Sequence, residues 1–344
     1  MSGADKREIE YMLSVTVRAA PSLALIKYWG KEPASSGAPN RPATGSIAVG
    51  LEGLYSETRV SLTEGRDRLS LDGREISSEG LSKRYAAFFD NIRARLGVSH
   101  FYECESYNNF PSAAGLASSS SGFAALAAAC AGVSSLARGA PVPDAGSISG
   151  MARLGSASAA RAVYPGFVLL PAGAEMAVPL FGADFWPELR VLVARVSDET
   201  KAHSSRDAME HTRSTSPYYP AWLHDSRALY TEAQAALGAR DLTRLGSLMR
   251  ASTYRMFGTM LAADPAVIYW RPLTLALLGC IEDLRARGLA VYETMDAGPQ
   301  VKILCLERDA RAAEAAILEA LPELHGRLLT LKIGGGLTYP DHAE

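Results

Sequence analysis

The residues able to do chemistry in this 344-residue chain gather in a few short stretches. The longest runs Asn108-Asn109-Phe110-Pro111-Ser112-Ala113-Ala114-Gly115-Leu116-Ala117-Ser118-Ser119-Ser120-Ser121-Gly122. An alternating, strand-like segment precedes it (Phe101 to Tyr107), and an alanine-rich, helix-forming run follows from Phe123. A helix start leaves about four backbone N–H groups free and carries a partial positive charge. Gly115 has no Cβ, so an anion can approach the backbone there. The serines add hydroxyl donors and oxygen ligands for magnesium. Physically this is a phosphate-binding loop, though not the G-x-x-x-x-G-K-[ST] type, because no lysine follows the glycine. A Ser-capped helix packed closely on a sheet accounts for the same local composition.

Charged residues mark the other stretches. Lys27 and Lys31, two of seven lysines, flank Tyr28-Trp29-Gly30. Two mobile cations beside an aromatic pair suit a polyphosphate or carboxylate; a surface turn with snorkelling lysines has the same composition. In Gly155-Ser156-Ala157-Ser158-Ala159-Ala160-Arg161, a helical backbone puts Ser158 and Arg161 on one face. A guanidinium with nearby hydroxyls can grip a phosphate at two points. Arg206 follows Ser204 and Ser205, either of which can cap a helix. Asp296 opens Asp-Ala-Gly-Pro, which by itself reads as a turn.

The elements that must position these residues are legible from periodicity. Strands are expected at 11–20, 46–54, 55–62, 68–71, 101–107, 189–196, 290–295, 300–306 and 327–333. Leu81, Tyr85, Phe88, Phe89, Ile92 and Leu96 predict one amphipathic helix over 79–97. Further helices are expected at about 219–237, 240–262, 271–288 and 308–321, with loops at 32–44 and 139–145. Length suggests two domains, with the boundary placed between 197 and 198.

Composition removes several classes. Apolar residues make up 48% and net charge is −2, so the whole chain is no nucleic-acid binder and any anion site is local. The opening decapeptide is too charged for a signal peptide. The alanine-rich run at 113–133 looks too weakly apolar to cross a membrane. Four scattered cysteines and six scattered histidines show neither disulfide-framework nor metal spacing. A reducing cytoplasm and no transition metal are the expectations.

Taken together the stretches resemble one family. Pro111 to Gly122 is similar to the ATP loop of the GHMP kinase superfamily. Asn108-Asn109-Phe110 in front of it, Ile26-Lys-Tyr-Trp-Gly-Lys31, Gly155 to Arg161, Ser204-Ser-Arg-Asp-Ala-Met209 and Met295-Asp-Ala-Gly-Pro299 resemble the diphosphomevalonate decarboxylases, in the family's order. The resemblance implies a two-lobed α+β, GHMP kinase-like fold. Its N-terminal α/β domain (1–197) is of the ribosomal-protein type, and its C-terminal α/β domain (198–344) is ferredoxin-like. It implies ATP with Mg²⁺, a phosphorylated mevalonate as substrate and a homodimer. Catalysis then falls to Asp296, Lys27 and Arg161. Substrate binding falls to Tyr28, Lys31, Ser156, Ser158, Arg161, Ser205 and Arg206. ATP binding falls to Asn109, Ser112, Ala114, Gly115, Leu116, Ala117, Ser118, Ser119 and Ser120. The implied reaction gives isopentenyl diphosphate, ADP, phosphate and carbon dioxide; decarboxylation of the 5-monophosphate, a kinase that stops at phosphorylation and a nucleotide-binding module without turnover are the alternatives. Ser22, Tyr164-Pro165-Gly166 and Gln300 depart from the family's usual Asn, Gly-Gly and Asn. In the loop, Gly115→Val is expected to weaken ATP affinity in a folded protein, because a β-branched side chain blocks approach to the backbone; titration with ATP checks it.

Overall fold

The structure, a computed structural model, describes residues 13–33, 39–111, 118–199 and 203–340. The strands are β1 (Ser14–Ala19), β2 (Ser22–Ile26), β3 (Ser46–Gly50), β4 (Ser56–Thr63), β5 (Arg68–Leu71), β6 (Arg74–Glu75), β7 (Phe101–Asn108), β8 (Phe167–Leu170), β9 (Val178–Phe181), β10 (Leu189–Ala194), β11 (Tyr292–Thr294), β12 (Val301–Leu306), β13 (Leu328–Lys332) and β14 (Leu337–Thr338). The helices are α1 (Ser78–Arg84), α2 (Ala86–Leu96), α3 (Ser118–Arg138), α4 (Ala145–Gly155), α5 (Ser205–Thr215), α6 (Tyr219–Gly238), α7 (Leu242–Leu261), α8 (Pro272–Ala286) and α9 (Glu307–Ala320).

Three sheets organise them: β14-β1-β4-β7-β5-β6, β2-β3-β8-β9 and β11-β12-β10-β13. The alternation of β4 (Val60, Leu62) and β7 (Tyr102, Cys104) buries one face of the first sheet under α2, α3 and α4. The helix expected over 79–97 divides at Tyr85, where α1 ends and α2 begins. α3 is long and apolar enough to cross a membrane, contrary to the expectation from its composition. It is nonetheless a core helix, with 83% of its apolar window buried inside the fold.

The second sheet joins the two halves. Leu23, Leu25, Ile47 and Val49 share a core with Ala236, Leu237, Leu245 and Met249 of α6 and α7. β10 sorts its side chains between two cores, Val191 and Val193 into this one, Leu192 and Ala194 into the C-terminal one. A boundary at 197/198 leaves β10 in the N-terminal half, and the structure corrects that. β10 is hydrogen-bonded on both sides, to β12 and β13, so the C-terminal sheet begins at Leu189. In the other direction β14 returns to pair with β1.

The turn after β2 is clamped by the C-terminal helices. The Trp29 indole N–H donates to Thr212 Oγ1 at 2.9 Å, and the Trp222 indole N–H donates to the Trp29 carbonyl at 2.8 Å. Gly30 has φ +106°, and a Cβ there would lie 1.9 Å from Tyr219 Oη. Gly30→Ala is therefore expected to cost about 2 kcal/mol or more, from backbone strain plus the clash. Gly53→Ala, at φ +82° in open space, carries the backbone strain without a clash. Denaturant unfolding of the two variants should rank Gly30→Ala as the less stable.

Candidate active site

Asp296 stands just beyond the end of β11 with a carboxylate 29% exposed between two buried ammonium groups. Lys27 Nζ donates to Asp296 Oδ1 at 2.9 Å and Lys302 Nζ to Oδ2 at 3.0 Å. Each lysine is 1% exposed. Lys27 follows β2 and also donates to the Ala24 carbonyl at 2.9 Å; its backbone N–H donates to Ser252 Oγ on α7 at 2.9 Å. Lys302 lies opposite Thr294 in the β11–β12 ladder, and Thr294 bonds Thr253 of α7 at 2.9 Å. Adjacent residues of α7 thus steady both sides of the carboxylate. Burial alone would raise the pKa of Asp296, but Lys27 and Lys302 outweigh it and hold the carboxyl well below its ordinary range. Burial brings the Lys27 ammonium down to about 8, against the pull of Asp296.

Arg161 lies 3% exposed in the 3₁₀ segment Ala157–Val163, where residues three apart are eclipsed. Its Nη1 donates to Ser46 Oγ at 2.8 Å, while its Nε is buried with no partner among the described residues. Among the described residues no carboxylate lies within ion-pair distance of it. Burial lowers its pKa to about 10. Tyr28 Oη is likewise buried and unpaired, and burial pushes its pKa up. The two feel each other's charge. One carboxylate facing Lys27, Lys302 and Arg161 leaves this pocket of charge net positive, a costly arrangement that an anionic ligand would relieve.

The remaining expected substrate residues gather at the end of α4. Ser156 and Ser158 hydroxyls are 3.0 Å apart. Lys31 Nζ donates to Asn40 Oδ1 at 2.6 Å, and Asn40 Nδ2 donates to the Leu154 carbonyl at 2.6 Å. Burial and the charge of Arg206 bring Lys31 down to about 8. Arg206, exposed near the start of α5, reaches from the C-terminal half to donate to the Gly155 carbonyl at 3.2 Å. Ser205 is the first residue of that helix, with Ser204 as its cap.

Of the expected ATP residues, Ser112, Ala114, Gly115, Leu116 and Ala117 lie outside the described residues. Ser118, Ser119 and Ser120 open α3, Ser119 exposed and Ser120 buried. Ser120 Oγ donates to the Ser158 carbonyl at 3.0 Å, so the helix start touches the Arg161 segment directly. Asn109 stands apart. Its carboxamide accepts from the Tyr55 N–H at 2.7 Å and donates to the Gly53 carbonyl at 2.8 Å, bracing the loop base.

Each departure from the family pattern has a local contact. Ser22 Oγ lies 3.0 Å from Ser120 Oγ. Gly166 donates to the Gly334 carbonyl at 3.0 Å. Gln300 accepts from the Val196 and Ser197 N–H groups at 2.5 and 3.2 Å, tying the start of β12 to the end of β10. Sequence reasoning missed Lys302, Ser46 and Asn40. For Lys302 a signal existed, a lone lysine within the apolar strand Val301–Leu306.

Fold and site define a two-lobed protein in which two buried lysines and an arginine surround one carboxylate, beside the serine-rich start of α3. Residues 19–178 match the family model for the diphosphomevalonate decarboxylase-like N-terminal domain, and residues 191–330 that for the mevalonate 5-diphosphate decarboxylase C-terminal domain. The diphosphomevalonate decarboxylase of Candida albicans is 30% identical over 313 residues, covering 85% of this chain and 84% of its own. A solved mevalonate diphosphate decarboxylase from Staphylococcus aureus aligns at TM-score 0.85 with 32% identity, over 94% of this chain and 97% of its own. Another solved protein, MDDEF in complex with MVAPP, AMPPCP and magnesium, aligns at TM-score 0.86 with 33% identity, over 95% and 98%. The chain belongs to the diphosphomevalonate decarboxylase family.

Arg161→Lys is expected to keep the fold and to lower kcat/KM for the phosphorylated substrate at least roughly tenfold. A lysine cannot reproduce a bidentate guanidinium contact, and losing one to a desolvated anion costs about 2–5 kcal/mol. ATP affinity should change little. Steady-state kinetics with each substrate varied in turn checks both.

Proposed function

We propose that this protein couples ATP to decarboxylation of mevalonate 5-diphosphate, giving isopentenyl diphosphate, ADP, phosphate and carbon dioxide. The observation that carries the reading is the excess of buried positive charge around Asp296. The proposed substrate brings a carboxylate and a diphosphate to a cleft holding Lys27, Lys302 and Arg161 at its base and Lys31 and Arg206 at the end of α4.

Arg161, with its unpaired Nε, and Tyr28, with its unpaired hydroxyl, are the donors for anionic oxygens of the substrate, joined by Ser156, Ser158, Lys31, Ser205 and Arg206. Asp296 faces the tertiary hydroxyl and orients its O–H as the oxygen attacks the γ-phosphorus of ATP. The new C–O–P linkage then breaks with its electron pair leaving on phosphate. The C–C bond to the carboxylate breaks in turn, its electrons form the alkene, and carbon dioxide departs. Lys27 has three N–H donors and two acceptors among the described residues, which leaves one for the reacting groups. The backbone amides and hydroxyls opening α3 take the ATP phosphates.

Mg²⁺ prefers oxygen ligands and waters, so Ser118 and Ser119 hydroxyls with the nucleotide's own phosphates fit it, and it supplies charge neutralisation on the transferring phosphate. The reading includes a cytoplasmic homodimer, whose assembly light scattering at two concentrations checks. Asp296→Asn is expected to bind ATP and lose turnover by about 10²-fold or more. Purified enzyme with ATP should release carbon dioxide and ADP together from mevalonate 5-diphosphate. ADP without carbon dioxide would make it a kinase, and faster turnover of the 5-monophosphate would change the substrate.

A further inference from the structure

Asp296 has more cationic partners than its charge requires. An ion pair with Lys27 would already neutralise it, yet Lys302 donates to its other oxygen from a 1% exposed position on β12. Lys302 shares a strand face with Leu304, which packs in the core below the second sheet, whereas Val301, Ile303 and Cys305 face the C-terminal core. The lysine therefore points toward the end of β2, where Lys27 stands. Burying a second ammonium is costly and adds like-charge repulsion between the two lysines and with Arg161. A purely structural role would be served better by an apolar side chain of similar length.

We propose that Lys302 is a positioning residue for the decarboxylation reaction: by holding Oδ2 while Lys27 holds Oδ1, it fixes the plane of the Asp296 carboxylate and keeps it ionised. With both oxygens anchored, the carboxylate cannot rotate, so the lone pair left on each oxygen points in one set direction. The arrangement also limits what Asp296 does. A carboxylate so strongly paired orients the hydroxyl proton and does not hold it, so the proton passes to an oxygen of the transferring phosphoryl group as phosphate transfer completes. This inference rests on the proposed reaction, but its electrostatic half does not.

The charged and titratable groups facing Asp296 are Lys27 from the end of β2, Lys302 from β12 and Arg161 from the 3₁₀ segment; α7 contributes only the neutral Ser252 and Thr253, which steady Lys27 and Thr294. Removing the Lys302 charge raises the pKa of Asp296, which loses a stabilising cation. It also raises that of Lys27, which loses a repelling one. Both limbs of the pH–rate profile then move the same way, to higher pH. Loss of packing alone would scale the profile down without moving it.

The test compares wild type with Lys302→Met, Lys302→Gln and Lys302→Arg. In wild type, activity that needs the Lys27 ammonium should fall as pH rises through about 8. Lys302→Met and Lys302→Gln should each lower kcat at least roughly tenfold through the freed carboxylate and shift both limbs upward by about one to three units. Lys302→Arg should restore the limbs. Lys302→Gln keeps a donor without the charge, so it serves if the methionine variant does not fold. Carboxyl ¹³C NMR of Asp296, assigned against Asp296→Asn, follows the same rise without substrate. An upward carboxyl shift in an enzyme that releases no carbon dioxide would fault the proposed reaction and keep the clamp. Unmoved limbs and an unmoved carboxyl titration would overturn the role of Lys302.

Discussion

The arrangement on which the rest depends is a single carboxylate held between two ammonium groups that water hardly reaches. Lys27 follows β2 and Lys302 lies in β12, strands of different sheets, so Asp296 is paired only when those sheets stand in their native relation. A buried charge without its partner is strongly unfavourable. The fold therefore has to bring these strand ends together to within hydrogen-bond distance, and α7 does so by bonding the Lys27 backbone through Ser252 and Thr294 through Thr253. With Arg161 added, the cleft keeps positive charge that no described carboxylate cancels. That imbalance is the observation on which the proposed anion site rests.

The segment from Ser22 to Lys31 belongs to both halves. Its strand is buried throughout and pairs with β3 in the N-terminal half, yet its far side packs on α6 and α7. Trp29 is then fixed by Thr212 and Trp222. A short chain so anchored presents Lys27 toward Asp296 and Lys31 toward the end of α4, with Tyr28 between them. The hydrogen-bond chain from the Ser22 hydroxyl through the Ser120 hydroxyl to the Ser158 carbonyl joins this segment to the start of α3 and to the Arg161 turn. The start of α3 and the Arg161 segment, the proposed nucleotide and substrate elements, are thereby in direct contact, as transfer between two bound ligands requires.

Much of this was legible from spacing. The alternation of β4 and β7, the apolar repeats of α6 to α9 and the turn at Asp296 depend on residues a few positions apart, and local periodicity reports those relations. The break at Tyr85 was not legible, because its ring packs on Phe123 with Phe88 and the apolar spacing runs on across the break. Asn109 belongs by motif to the nucleotide loop, and only the positions of Gly53 and Tyr55 show that its carboxamide braces the backbone there.

By itself the sequence determined most of the longer strands and helices, though not β2, β8, β9 or α4, and it showed where a phosphate could meet a helix start and which side chains carry charge. It determined these because backbone preference and amphipathic period act over one or two turns. Only the tertiary structure decided that β10 belongs to the C-terminal sheet, that Asn40 fastens Lys31 to α4, and that Lys302 completes the clamp on Asp296. Lys27 and Asp296 stand 269 residues apart. No local rule links such positions; the pairing exists because two sheets pack so that one part-exposed carboxylate meets two buried lysines, whose unpaired charge would be too costly to keep.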